Sequence, residues 1–176
     1  QSLDTVLHAA ELLQQQGSRV RWVMLGGGVE VERLKAEACR RKLNNVVFMA
    51  AVPMGEVGSY LKAADALLVH LRNDPLFAIT IPSKTQAYMA VGKPLLMAVD
   101  GAACDLVKRS GGGVVAPSED TQALADAAQS LANMDPNALS EMGQQASAFY
   151  AQHLSLTVGV ERFGELFERL ARKDRS

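Results

Sequence analysis

Apolar residues along this chain recur in two alternating rhythms. Leu3, Val6, Leu7, Ala10 and Leu13 fall at helical spacing, and Gly17 ends the run. Val20 to Leu25 reads as a strand that runs into Gly26-Gly27-Gly28. Val31, Leu34 and Ala38 mark a second helix, on which Glu37 and Arg41 stand at i,i+4 and should pair. Val46 to Met49 reads as a short buried strand, Val57, Tyr60, Leu61 and Ala64 as a helix, and Ala66 to His70 as a strand. A long loop, Leu71 to Thr80, leads to a short helix with Ser83 at its cap and Gly92 at its stop. Strand Leu95 to Val99, a helix over Ala102 to Arg109 and strand Gly113 to Ala116 follow.

Three amphipathic helices finish the chain. They are marked by Leu124, Ala128 and Leu131; by Leu139, Met142, Ala146 and Phe149; and by Val160, Phe163, Phe167 and Leu170. Continuous apolar strands alternating with amphipathic helices predict an α/β fold: a Rossmann-like three-layer domain with a mostly parallel sheet and extra C-terminal helices. Those last helices should pack as a bundle or strap on the sheet. In such folds ligands bind outside the carboxyl ends of the strands. Any site is then assembled from Gly26–Gly28, Ala50–Pro53, His70–Phe77, Val99–Gly101 and Ala116–Ser118.

Composition narrows the classes. A chain of 176 residues suits one domain. A hydrophobic content of 48% with 21% charged residues is ordinary for a globular protein. A net charge of −1, with Lys and Arg dispersed, argues against bulk nucleic-acid binding. Cys39 and Cys104 lack CxxC or metal spacing, which implies a reduced, cytoplasmic setting. No apolar run reaches membrane-spanning length, and no secretory signal is visible. The start at Gln1, directly before a helical pattern, predicts a piece of a longer protein.

The candidate chemistry lies in loops. Gly26, Gly27 and Gly28 between strand and helix either admit a ligand to the backbone or form a tight turn. They do not form the dinucleotide fingerprint, because Val31 stands where its third glycine belongs. Ser83 and Lys84 on a first helical turn suit an anion such as phosphate, or are a capped start with a solvated lysine. Arg72 and Asp74 in the long loop can meet phosphate or sugar, or belong to a surface excursion stiffened by Pro75. His70 ends a strand near the crevice and is read as structural. No metal-ligand spacing, Ser/His/Asp order or close carboxylate pair is present.

In order, these segments resemble the C-terminal half of a GT-B fold, family 4 type glycosyltransferase. Val23-Met24-Leu25-Gly26-Gly27-Gly28 is similar to that family's glycine turn, with Gly27 where Asp is usual. Val46 to Pro53 and Ala63 to Val69 resemble two of its strand motifs. Ile81-Pro82-Ser83-Lys84-Thr85, with Tyr88 to Pro94, resembles the version found in bacterial surface-polysaccharide transferases. Gly111 to Pro117 resembles a further turn.

The resemblance implies a single nucleotide-sugar-binding domain over residues 1–176, one half of a two-domain chain. The donor implied is a nucleotide-sugar, UDP-sugar by family frequency, with no metal or other cofactor. Gly26–Gly28, Ser83 and Lys84 would lie near diphosphate and sugar, and Val52 and Pro53 would frame the base. The implied reaction is retaining transfer to an acceptor glycan or lipid-linked sugar bound by the N-terminal half, the catalytic residues being unassigned. Alone, the domain is expected to bind nucleotide weakly and transfer nothing. Peripheral association with the inner membrane is left to the longer protein.

One departure stands out. The family's paired glutamates map onto Ile79 and Ala87, and the second normally holds the donor ribose. Ala87 cannot accept a hydrogen bond from its side chain, and Gln86 points about 100° away around the helix. A non-catalytic binding or scaffold domain with a degraded donor site is therefore the rival reading. A sugar epimerase of related shape is a third.

Overall fold

The computed structural model describes residues 2–173. Helix α1 (Asp4–Gln15) precedes β1 (Trp22–Leu25), α2 (Val31–Arg40), β2 (Val46–Met49), α3 (Met54–Ala63) and β3 (Leu67–His70). Then come α4 (Pro75–Ala78), α5 (Ser83–Val91), β4 (Leu95–Ala98), α6 (Ala102–Ser110) and β5 (Gly113–Ala116). Three helices close the chain: α7 (Thr121–Asn133), α8 (Pro136–His153) and α9 (Leu156–Lys173).

Every strand pairing among the described residues is parallel, as the apolar runs predict. The strands fall into two sheets, β1-β2 and β3-β4-β5, where one was expected. Register pairs Trp22 with Val46 in the first, and Leu67 with Leu95 and Leu95 with Gly113 in the second.

Alternation along the strands builds two apolar layers. On one side Trp22, Leu96, Ala98 and Ala116 meet α1 through Val6, Ala9, Ala10 and Leu13, and α7 through Leu124 and Ala128. Leu7 of α1 and Leu34 and Ala38 of α2 extend that layer. On the other side Val69, Leu95, Met97 and Val99 meet Met89 of α5, Val107 of α6 and Ala146 of α8. Helices thus cover both faces of the β3-β4-β5 sheet, the three-layer arrangement expected.

Three sequence expectations change. Strand β2 is only half-buried, not buried. Its Val47 is 41% exposed beside its register partner Val23, 59% exposed, so that face of the small sheet is open among the described residues. Helix α3 forms but buries none of its residues. The apolar stripe of α9 does not pack on the sheet: α9 rests mainly on α8, and Val160, Phe163, Phe167 and Leu170 face outward. The long loop after β3 also contains a one-turn helix, α4, started by Asp74, whose carboxylate accepts from the Leu76 amide at 3.0 Å.

Helices α1 and α2 are joined by charge. Arg33 donates to Asp4 at 2.8 Å, and Arg41 donates to Glu11 at 2.5 Å and to Glu37 at 2.6 Å. The Glu37–Arg41 pair is the one the spacing predicted. Arg41 also lies 2.6 Å from Nε2 of His8, which must accept there.

Hydrogen bonds from Arg40 first, then Arg41, lower the Glu37 carboxyl to about 2 from an ordinary 4.5. A depressed carboxyl contributes stability above its unfolded pKa and loses it as pH falls through the folded value. The melting temperature of the wild type is expected to exceed that of Glu37→Gln most above pH 4.5. The gap should close as pH falls toward 2, and a gap independent of pH contradicts the assignment.

Candidate functional site

A cavity of about 310 Å³ opens at the carboxyl end of β3. Its wall includes Leu3, the strand from Leu68 to Leu71, Phe77 and Thr80, and the start of α5 at Pro82, Ser83 and Lys84. The sheet thus delivers His70 to the cavity, and the loop carrying α4 brings in the first turn of α5. This is where a parallel α/β fold places ligands.

Helix α5 does not begin as the sequence suggested. Pro82, not Ser83, is the residue at the cap, and no side chain caps the turn. Ser83 is the first helical residue and Lys84 the second. The reason is local: Pro82 holds φ at −58° and ψ at 137°, an extended geometry suited to a cap. The first-turn amides and the exposed Lys84 ammonium therefore stand together at the cavity rim. Gly92, with φ of 77°, stops the helix as predicted.

The remaining site residues are placed differently. Gly26 and Gly28 have φ of 136° and 154°, conformations that favour glycine, and a Cβ on either, or on Gly27, would meet nothing within 4 Å. The turn is open, but it is not part of the cavity wall. Nor are Val52, half-buried, and Pro53, exposed at the start of α3. Arg72 is engaged within its own loop: it donates to Asp74 at 3.1 Å and lies 6.0 Å from the centre of the Phe77 ring. Asp74, which could accept sugar hydroxyls or belong to a surface excursion, holds Arg72 and the start of α4. Ala87 is exposed on α5, and Ile79 is exposed beside α4.

Two carboxylates tie these loops together. Glu119, after β5, accepts from the Ser2 hydroxyl at 2.6 Å and from the Asn73 amide at 2.9 Å. Those bonds, Ser2 first, hold its carboxyl below the usual range, with His70 and Arg72 adding positive field. Asp100, after β4, accepts from the Ser118 hydroxyl and, at 3.4 Å, from its amide. The sequence reading left Glu119 out. The signal available was the polar run Ser118-Glu119-Asp120 directly beyond a strand's carboxyl end.

The arrangement offers backbone donors, one ammonium and an apolar wall, a combination suited to an anionic ligand carrying a flat or apolar group. Cys104 is not part of the cavity wall: it is buried, its Sγ lies 2.6 Å from the Val99 carbonyl, and burial pushes its thiol up. Among the described residues no cluster of three His, Cys, Asp or Glu side chains is placed to hold a metal. No helix among them is long and apolar enough to cross a membrane.

The family model described as glycosyl transferases group 1 matches residues 1–149. The probable glycosyltransferase WbjE of Pseudomonas aeruginosa is 26% identical over 165 residues, covering 93% of this chain and 40% of that protein. The amylovoran biosynthesis glycosyltransferase AmsK of Erwinia amylovora is 28% identical over 175 residues, covering 96% of this chain and 42% of that one. Among solved structures, HepE of Anabaena in complex with UDP and glucose superposes with a TM-score of 0.77 at 18% identity, covering 95% of this chain and 44% of HepE. The chain therefore spans about two fifths of the length of the curated relatives it matches.

Gly101, which precedes α6, fixes the far side of the loop that carries α4. Its φ is 81°, and a Cβ there would fall on the carbonyl of Ala78. Gly101→Ala is expected to cost about 2 kcal/mol or more, from backbone strain and displacement of α4. A urea midpoint equal to wild type would contradict that packing.

Proposed function

We propose, from the premise that the chain belongs to the glycosyl transferases group 1 family, that it is the donor-binding half of a retaining glycosyltransferase. The sugar would pass from a nucleotide-sugar to a polysaccharide or lipid-linked acceptor held by an N-terminal domain. The observation that carries the reading is the uncapped first turn of α5, with Ser83 and Lys84, at the rim of the cavity.

The physical task explains the geometry. As the bond between the sugar's anomeric carbon and the diphosphate oxygen breaks, negative charge grows on the leaving diphosphate. Fixed amides at a helix start and a nearby ammonium stabilise that charge more than they stabilise the bound donor. The open Gly26–Gly28 turn would let the backbone approach the donor, and Val52 and Pro53 would border the base. The named relatives, one of them in amylovoran biosynthesis, support a role in bacterial polysaccharide assembly. HepE's complex with UDP and glucose supports a UDP-sugar as donor. A cytoplasmic location accords with two free cysteines and with a nucleotide-sugar substrate.

Ala87 favours a second reading, a binding or scaffold domain that has lost its donor. It is exposed on α5 and offers a ribose nothing but a methyl group.

Two substitutions separate these readings. Lys84→Ala is expected to weaken UDP binding about fivefold to tenfold, the worth of one exposed charge-assisted contact. Unchanged affinity by calorimetry would mean that Lys84 is only a solvated lysine. Ala87→Glu restores a carboxylate on the second turn of α5. If the native domain binds UDP and Ala87→Glu binds it no better, the ribose is held elsewhere. If only Ala87→Glu binds, the scaffold reading is correct.

A further inference from the structure

The turn between β5 and α7 carries a side chain that the turn alone does not call for. Glu119 has a φ of 58°, a left-handed conformation that costs free energy for a residue with a Cβ. Glycine makes such a turn without that cost. We propose that Glu119 is a positioning residue for the cavity: its carboxylate fixes the start of the α4 loop and, through it, the wall and the first turn of α5 that a ligand meets. Only the expected effect on nucleotide binding rests on the proposed function; the placement of the loop does not.

Both oxygens of the carboxylate are in use. Oε1 accepts from the Ser2 hydroxyl at 2.6 Å, and Oε2 accepts from the Asn73 amide at 2.9 Å. Each partner leads directly into the cavity wall. Leu3 follows Ser2, and Phe77 stands in the short helix that follows Asn73; both line the cavity. One side chain thus ties together two parts of the wall that are far apart along the chain. The same bonds hold the carboxyl below its usual range, which keeps it ionised and a strong acceptor.

The α4 loop depends on grips from outside it. The hydrogen bonds that shape α4 are local: Asp74 accepts from the Leu76, Phe77 and Ala78 amides, and the Thr80 hydroxyl donates to the Leu76 carbonyl. A helix of four residues has no stability of its own, so these bonds give it a shape and not a place. At its far end, the Ala78 carbonyl lies where a Cβ on Gly101 would fall, so backbone packs on backbone. At its near end, Glu119 holds Asn73. The two grips share a base, because Asp100, beside Gly101, accepts from the hydroxyl and amide of Ser118, beside Glu119. From Ala78 the chain runs through Thr80 and Pro82 into Ser83 and Lys84, so the start of α5 follows where α4 is set.

The magnitudes favour geometry over bulk stability. Glu119 is exposed, and exposed polar contacts add little to global stability. What they do is select one position for a loop whose own bonds select none. A left-handed residue other than glycine persists where its surroundings over-determine it, and such residues cluster at ligand clamps and active sites.

Glu119→Gly separates position from stability. It relieves the backbone strain and removes the carboxylate together, so the urea midpoint should stay close to wild type. By NMR, the Asn73 amide is expected to exchange about tenfold faster. The amide shifts of Phe77 to Lys84 should move, while those of Ala125 and Ala128 in the core stay. UDP should bind about fivefold to tenfold more weakly, because binding must then order the loop. Glu119→Gln keeps an acceptor for Asn73 and offers a donor to the Ser2 hydroxyl; it is expected to return exchange and affinity to within about twofold of wild type. Wild-type exchange at Asn73 with unmoved shifts from Phe77 to Lys84 would overturn the proposal. So would unchanged UDP affinity beside a released Asn73, or protection lost equally through α7, the mark of a purely structural residue. If the wild type itself binds no UDP, the functional reading fails, and exchange and shifts alone decide the role of Glu119.

Discussion

Everything in this molecule rests on the burial of α1. Val6, Ala9, Ala10 and Leu13 have almost no exposure, and they lie on Trp22 from one sheet and on Leu96 and Ala98 from the other. Fully burying a Val or Leu side chain stabilises a fold by about 1.5–3 kcal/mol, so the stripe is a major part of a small domain's core. It fixes both sheets beneath one helix and brings Leu3 to the carboxyl end of β3. The charged contacts of Arg33 and Arg41 with α1 are more exposed and add orientation rather than bulk stability.

From that constraint the location of the chemistry follows. Parallel strands, covered on both faces in the larger sheet, leave their loop ends as the place where polar groups can converge. There the chain joins the β3, β4 and β5 loops by side chains: Glu119 to Ser2 and Asn73, Asp100 to Ser118. Gly101 lets the loop with α4 lie against the start of α6. The result is a supported wall opposite an uncapped helix start. Positive groups at that start are unopposed by acidic residues in the first turn of α5. In contrast, the start of α2 beyond Gly28 carries Glu30 and Glu32, so its own field is less suited to an anion.

Much of the fold was legible because its strands are short apolar runs and its helices amphipathic. Strands β2, β4 and β5 and helix α1 begin and end within two residues of where the periodicity put them. The presence of Ser83 and Lys84 at a helix start was legible from Pro82 and Gly92, which punctuate the backbone. The cap itself was not, because Pro and Ser are both compatible with a helix's first positions and only the backbone angles decide. The contacts that Arg72 and Asp74 make with each other and with Phe77 and Leu76 were hidden because they lie within one loop, whose one-turn helix is too short to show a period. Glu119 was hidden for the opposite reason: its partners, Ser2 and Asn73, are distant in sequence. The outward stripe of α9 and the exposed Val23 and Val47 look like core in a pattern that cannot say what covers them.

The central claim is that the first turn of α5 grips a nucleoside diphosphate. Amide chemical shifts recorded while UDP is added at millimolar concentration test it most directly. The donor site requires the largest changes at Ser83 and Lys84, with smaller ones at His70 and Leu71 across the cavity. A titration that moves other amides and leaves Ser83 and Lys84 still would contradict it.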